Sequence, residues 1–239
     1  MSHKIQTLSG YIHEYQKSVQ DPESFWARIA ESFHWKKPWD KTLEWDFEGP
    51  DVKWFFNGKL NITENIFERY LYTKGDIPAI IWEPNDPKED NRIVTYRELF
   101  EMTNQFCNAL RAQGIEKGDR VVIYMPMVPE AAVAMLACAR IGAIHSVVFA
   151  GFSSSSLADR INDCEAKMVL TSDGNFRGAK QIPVKAVVDE AIENCPSIEK
   201  VIVYQRTHDE VVMKEGRDIW WHDAIEGHSK EFDAVEMDS

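Results

Sequence analysis

Apolar and polar positions fall into two regimes along this chain. Residues 1–70 show little strand-like alternation and are dominated by aromatic side chains, with five of the eight tryptophans (Trp26, Trp35, Trp39, Trp45 and Trp54) in that stretch. Residues 12–18 have the spacing of a short helix. Asp21-Pro22-Glu23 is a helix start: Asp21 can cap, Pro22 suits the first helical position, and Glu23 faces the positive end of the dipole. The helix it opens, to about Phe33, puts Phe25, Ile29 and Phe33 on one face. After Pro38 the pattern is irregular, and the tryptophans are expected to wrap onto a larger domain rather than build a separate binding module.

From residue 70 onward the pattern alternates between two periods. Residues 79–82 form a short strand candidate, followed by a turn at Asn85-Asp86-Pro87. Thr95 and Glu98 make a capping box, and Leu99, Met102, Phe106, Ala109 and Leu110 then recur at helical spacing until Gly114. Residues 121–125 are a β-branched apolar run that ends at Pro126. Pro129-Glu130 opens a helix over 131–141 that is apolar on nearly every side, and Gly142 closes it. A second buried strand is expected at 143–149, a helix around 157–164 behind four serines, and a third strand at 167–171. Residues 183–194 read as a helix and 201–204 as a fourth strand. Strands alternating with helices of this length predict an α/β fold of βαβ units with a largely parallel sheet, covered on both faces.

Composition narrows the function. The 239 residues include 27 basic and 39 acidic side chains, a net charge of −12. An acidic surface repels phosphate backbones and anionic lipid, so neither nucleic acid nor a membrane is an expected partner. The first 20 residues are polar and lack the apolar core of a secretory signal. The uncharged stretch 141–158 carries His145, two glycines and four consecutive serines, which hydrocarbon would not tolerate. Cys107, Cys138, Cys164 and Cys195 have no metal-ligand spacing, and three of them fall in apolar helical patterns as reduced core thiols. The cytoplasm is the simplest compartment.

Charge is uneven along the chain. Residues 206–239 hold 4 basic and 10 acidic residues, whereas 174–188 hold Arg177, Lys180 and Lys185 with no acid. A basic island in an acidic chain is a place to look for an anionic ligand. Arg177 and Lys180 are three apart, close enough to grip one phosphate, and Gly178 and Ala179 between them would let it approach. A solvated basic loop fits the same spacing equally well. Phe149-Ala150-Gly151-Phe152-Ser153 ends another strand, where open α/β sheets bind ligands, and Gly151 permits close backbone approach. On residues alone that stretch reads first as an ordinary Gly/Ser turn. No P-loop, GxGxxG, GxSxG or HExxH pattern is present. His145 reads as a core histidine.

Taken together, several stretches resemble the acetyl-CoA synthetases of the adenylate-forming family. They are Asp21-Pro22-Glu23-Ser24-Phe25-Trp26, Trp39-Asp40 and Trp54-Phe55, then Gly118-Asp119-Arg120-Val121 with Tyr124-Met125-Pro126-Met127. They continue with Ala137-Cys138-Ala139-Arg140-Ile141-Gly142-Ala143, running on through His145 to Ser153, and with Asp159-Arg160-Ile161-Asn162-Asp163. Arg177 to Lys180 with Ile182-Pro183, and Gly216-Arg217-Asp218 with Trp220-Trp221-His222, complete the match. The resemblance covers essentially the whole chain in order. It implies an acetyl-CoA synthetase amino-terminal region at 1–70 and the first, incomplete part of an AMP-binding (adenylation) domain at 71–239.

The same resemblance implies an AMP-forming acetate–CoA ligase using acetate, ATP, coenzyme A and Mg2+. It places Arg177, Gly178, Ala179 and Lys180 on the phosphorylated end of CoA and Gly151 near the CoA path. It expects the phosphate loop, the acetate pocket, the ATP and Mg2+ contacts and a carboxy-terminal lysine all to lie beyond residue 239. No catalytic residue is therefore assigned, the chain alone is expected to be inactive, and self-association of the shortened domain is expected. A ligase for propionate or another short-chain acid, and a non-catalytic interaction fragment, are the alternatives.

Overall fold

The computed structural model describes residues 5–46, 48–178 and 180–239. Its chain contacts divide it into two units, one running through Asn65 and including Glu236–Ser239, the other comprising Ile66–Val235.

The first unit begins with two helices, α1 (Leu8–Gln20) and α2 (Pro22–Ala30). Asp21 caps α2 by accepting the Ser24 N–H at 3.1 Å, with Pro22 in the first turn, as the sequence predicts. Helix α1 is longer than the expected 12–18. Beyond Pro38 the structure corrects the sequence reading. The stretch taken as irregular is an antiparallel hairpin of β1 (Lys41–Asp46) and β2 (Asp51–Phe56), with Leu43 opposite Trp54. Most of its residues are exposed on both faces, so no inside–outside alternation marks it. A short β3 (Lys59–Leu60) and α3 (Ile62–Ile66) follow. The aromatic side chains close on one another within the unit: Trp35 lies 4.9 Å from Trp39 and 5.4 Å from Phe55, and Trp26 meets Trp54 edge-on at 6.3 Å. Offset and edge-to-face contacts of this kind let aromatic rings form a cluster with few aliphatic residues.

The second unit starts with α4 (Glu68–Lys74) and a β-hairpin of β4 (Pro78–Trp82) and β5 (Arg92–Thr95). Helix α5 (Tyr96–Ala112) opens on the expected capping box, Thr95 and Glu98 each accepting the other's backbone N–H, and Gly114 follows its end at a φ of 83°. Three strand–helix repeats come next: β6 (Arg120–Ile123) and α6 (Pro129–Ile141), β7 (Ile144–Val147) and α7 (Ser154–Cys164), β8 (Met168–Ser172). A small antiparallel hairpin, β9 (Asn175–Arg177) and β10 (Lys180–Ile182), interrupts the pattern before α8 (Val184–Ile192). The unit continues with β11 (Lys200–Tyr204), β12 (Asp218–Trp220) and α9 (Trp221–Ile225). The last strand, β13 (Met237–Asp238), returns to pair antiparallel with β3 in the first unit.

Strands β12, β11, β8, β6 and β7 form one parallel sheet in that order. Its central strands are largely apolar because both of their faces are covered. Val121, Ile123, Met168, Leu170 and Ile202 point into a core shared with α5, α6 and α9. Val122, Val169, Val201 and Val203 point into a second core with α7 and α8. Consecutive residues of β6, β8 and β11 therefore serve opposite cores, which is why their central positions are apolar. Strand β7 departs from expectation. It was read as buried, but it is the sheet edge, and Ile144 and Val147 are 58% and 57% exposed. Among the described residues no helix is long and apolar enough to cross a membrane.

Candidate functional site

Successive crossovers run outward from β6 to β7 and then back past β6 to β8 and on to β11, so the strand order reverses direction between β6 and β8. Loops leaving the carboxyl ends of neighbouring strands diverge at such a point and leave a crevice, which is where open α/β sheets take ligands. Both stretches singled out in the sequence leave this edge. The Gly151 loop follows β7 and the Arg177–Lys180 stretch follows β8. Their parent strands lie two strand spacings apart, about 10 Å.

The basic stretch is a hairpin rather than a loop. Arg177 ends β9 and stands directly opposite Lys180, which begins β10. Opposed residues of an antiparallel ladder project to the same face with Cβ atoms about 5 Å apart. Both side chains are exposed, and among the described residues neither has an acidic partner within 4 Å. Gly178 has a φ of 59°, the left-handed turn conformation that glycine adopts without penalty. Ala179 lies outside the described residues.

Lys185 does not belong with them, which corrects the idea of a three-residue basic island. Its side chain is 1% exposed and its ammonium donates to both Asp189 oxygens at 2.7 and 2.8 Å and to the Val212 carbonyl at 3.1 Å. Asp218 Oδ2 stands 2.9 Å away. Nor is the hairpin's neighbourhood free of acid. A cleft of about 450 Å3 beside it is lined by Asn85, Asp86, Pro87, Glu89, Phe176 and Gly178.

Several residues that sequence reasoning did not single out fix this edge. Asp173, just past β8 and 1% exposed, accepts the N–H groups of Arg206 at 2.7 Å and Thr207 at 3.0 Å. The Arg206 guanidinium stacks over both Trp82 and Phe176, each at 5.1 Å, and donates to Glu89 at 2.8 Å. Asn85 binds Gly178 through both halves of its carboxamide. These partners come from β4, β9 and the loops after β4, β8 and β11, so no local motif could have revealed them.

The Gly151 loop is held from beneath. The Tyr124 hydroxyl, buried after β6, donates to the Phe152 carbonyl at 2.7 Å, and Thr171 Oγ1 donates to the Tyr124 carbonyl at 3.0 Å. Burial pushes the Tyr124 phenol up, so it remains a donor across the physiological range. An added Cβ on Gly151 would stand 2.5 Å from the Phe149 ring. Ser153 caps α7 with its side chain, so that hydroxyl is already engaged. His145 is half-buried on β7, and desolvation lowers its pKa, keeping the imidazole neutral. Among the described residues no group of three or more His, Cys, Asp or Glu side chains is placed to hold a metal ion.

Residues 67–234 match the family described as AMP-binding enzyme, and residues 11–66 match the acetyl-coenzyme A synthetase N-terminus. The acetyl-coenzyme A synthetase of Halorhodospira halophila is 48% identical over 230 residues, 96% of this chain and 36% of that protein. The acetyl-coenzyme A synthetase of Rubrobacter xylanophilus is 51% identical over 226 residues, 94% of this chain and 35% of that protein. Among solved structures, the acetoacetyl-CoA synthetase from Streptomyces lividans superposes with a TM-score of 0.84 at 26% identity, over 93% of this chain and 33% of that one. The chain thus spans about a third of the length of the relatives it matches. With the second unit matched almost end to end and the first matched to the segment that precedes it, this chain belongs to the AMP-binding enzyme family and carries an acetyl-coenzyme A synthetase N-terminus.

Proposed function

We propose that this chain is part of an AMP-forming acetate–CoA ligase and that it contributes the surface gripping the phosphorylated end of CoA. In this reading residues 1–70 are the amino-terminal region and 71–239 the first part of the adenylation domain. An acetate oxygen attacks the α-phosphorus of ATP, the bond to the β-phosphate breaks, and pyrophosphate leaves with the electron pair. The CoA sulfur then attacks the acetyl carbon of the mixed anhydride, AMP departs, and the thiol proton passes to solvent. Both steps depend on positioning and charge neutralisation rather than on a protein nucleophile. No role in the phosphoryl step is assigned to the described residues.

The observation that carries the reading is the cross-strand pair of Arg177 and Lys180, two exposed cations on one face of a hairpin at the switch-point edge. The names of the acetyl-coenzyme A synthetases about half identical to this chain support acetate as the acid. A charge-assisted contact to phosphate contributes roughly 1.5–3 kcal/mol, so losing one weakens CoA binding by about 10- to 150-fold. In the intact enzyme, Arg177→Ala should raise the KM for CoA by that order and leave acetate-dependent ATP–pyrophosphate exchange in place, since exchange needs no CoA. Lys180→Ala should act in the same direction more mildly, as a point charge without a fork. Both effects should shrink with dephospho-CoA if the gripped group is the 3′-phosphate. A folded variant that loses exchange, or an Arg177→Ala enzyme with an ordinary KM for CoA, overturns the reading.

A further inference from the structure

The hairpin bearing Arg177 and Lys180 has a support from far away in the chain. Asn85 Nδ2 donates to the Gly178 carbonyl at 2.7 Å, and the Gly178 N–H donates to Asn85 Oδ1 at 3.2 Å, across 93 residues of sequence. One carboxamide thus satisfies both backbone polar groups of one residue. Gly178 lies in the turn, where the β9–β10 ladder provides no rung: the pairing of Arg177 with Lys180 is its last. Gly178 is exposed, so water could satisfy these groups but could not aim them; Asn85, a fixed partner on another loop, does.

The loop that carries Asn85 does not need Asn85 for its own folding. Its turn is closed by Asp86, whose backbone carbonyl accepts the Glu89 N–H at 3.0 Å and whose side chain accepts the Lys88 N–H at 2.9 Å. The loop is anchored at both ends. Trp82 at the end of β4 donates its indole N–H to the Met127 carbonyl at 2.8 Å, and Glu89 holds Arg206. Arg206 in turn stacks on Phe176, the residue before Arg177. Asn85 is therefore presented to the turn by a loop that is itself clipped to the hairpin's first strand.

We propose that Asn85 is the positioning residue of the basic hairpin: by clamping Gly178 it fixes the register and direction in which Arg177 and Lys180 are offered to the CoA phosphate. The proposal rests on the reading of that pair as the CoA grip. Asn85 touches no reacting atom, so its loss acts on CoA affinity and not on the acyl-transfer step.

The experiment is a mutant cycle in the intact enzyme, with steady-state kinetics at varied CoA and a thermal melt of each variant. Two neutral hydrogen bonds are lost in Asn85→Ala, and the KM for CoA should rise about 3- to 10-fold while kcat at saturating CoA stays within about twofold. Asn85 is exposed, so the variant should melt close to the parent. In an Arg177→Ala/Lys180→Ala background, adding Asn85→Ala should change the KM by less than about twofold, because nothing remains to position. An unchanged KM in the single variant overturns the proposal, as does a full-sized effect in the double-variant background, which would mean that Asn85 acts on CoA directly or through the fold. If Arg177→Ala/Lys180→Ala itself leaves the KM for CoA unchanged, the CoA-grip reading fails first and the role of Asn85 falls with it.

Discussion

The buried ion cluster at the end of α8 gives the sharpest stability prediction. Lys185 and Arg217 face Asp189 and Asp218 in alternation, so the four charges cancel. The Asp218 side chain is fully buried and accepts from Arg217 Nε at 2.5 Å and Nη2 at 2.8 Å, from the Lys214 N–H at 2.9 Å, and from Lys185. Asp218→Asn keeps the volume and removes the charge, leaving two cations to share Asp189, which is 32% exposed, with Lys185 still 1% exposed. Breaking a buried pair by removing one partner costs about 3–5 kcal/mol. For a chain of this size each kcal/mol moves the melting temperature by about 2–4 °C, so the loss should be roughly 6–20 °C. Lys185→Met combined with Asp218→Asn leaves the neutral pair of Arg217 and Asp189, and should be more stable than Asp218→Asn alone.

The dependence on pH adds a second constraint. Burial pushes the Asp218 carboxyl up, but hydrogen bonds from Arg217, Lys214 and Lys185 outweigh it and hold the group below its usual value. A carboxyl held low in the folded state stabilises the fold above the unfolded pKa of about 3.9, and that stability is lost as pH falls through the folded value. The gap between parent and Asp218→Asn in urea unfolding should therefore be full at pH 7 and shrink below about pH 4. A gap under about 1 kcal/mol at neutral pH would refute the cluster's role. So would a gap that persists unchanged into acid, or a double variant whose cost is the sum of its parts.

Two further outcomes follow from burial. Desolvation pushes the Cys107 thiol up to about 12 and the Cys138 thiol further up, and neither is exposed; a thiol reagent at pH 8 should label the half-exposed Cys164 first and reach these two only on unfolding, and equal labelling rates would contradict the packing of α5 on α6. Strand β7 presents Ile144 and Val147 beside the 71% exposed Phe149, so the chain should bind a hydrophobic dye and scatter light as an associating species; Val147→Lys should reduce both without a matching loss of melting temperature, and a clean monomer that ignores the dye would refute this.

What the sequence disclosed about the fold depended on where each strand's neighbours are. Strands β6, β8 and β11 are paired on both sides and covered on both faces, so they appear as unbroken β-branched runs and were found close to their true limits. Strand β7 is flanked by the same kind of apolar run but has only one partner among the described residues, and its own His145 and Ser146 were the sole sign that it stands last. The β1–β2 hairpin failed for the opposite reason. With few buried positions on either face, it leaves no period for the eye to find, and only its turn residues Gly49 and Pro50 hinted at it. Strands β9 and β10 are three residues each, too short to carry a pattern at all.

The candidate site divides along a similar line. Arg177 and Lys180 could be paired from their spacing because a tight hairpin turns a separation of three into a directly opposed pair. Lys185 looks like part of the basic stretch because no acid occurs between residues 174 and 188. Its first partner, Asp189, lies one residue beyond that stretch, and the four-residue Lys-to-Asp spacing on a helix was a signal that could have removed Lys185 from the island. Its second partner, Asp218, arrives from β12 and carries no such mark. Asn85 lies at the far end of this scale. Asn-Asp-Pro is an ordinary turn, and nothing in those three residues separates the amide that closes its own loop from the one that spans 93 residues to hold Gly178. Chemistry that depends on residue type can be read from one strand end. Aim depends on which loops the sheet brings together, and that is decided by topology.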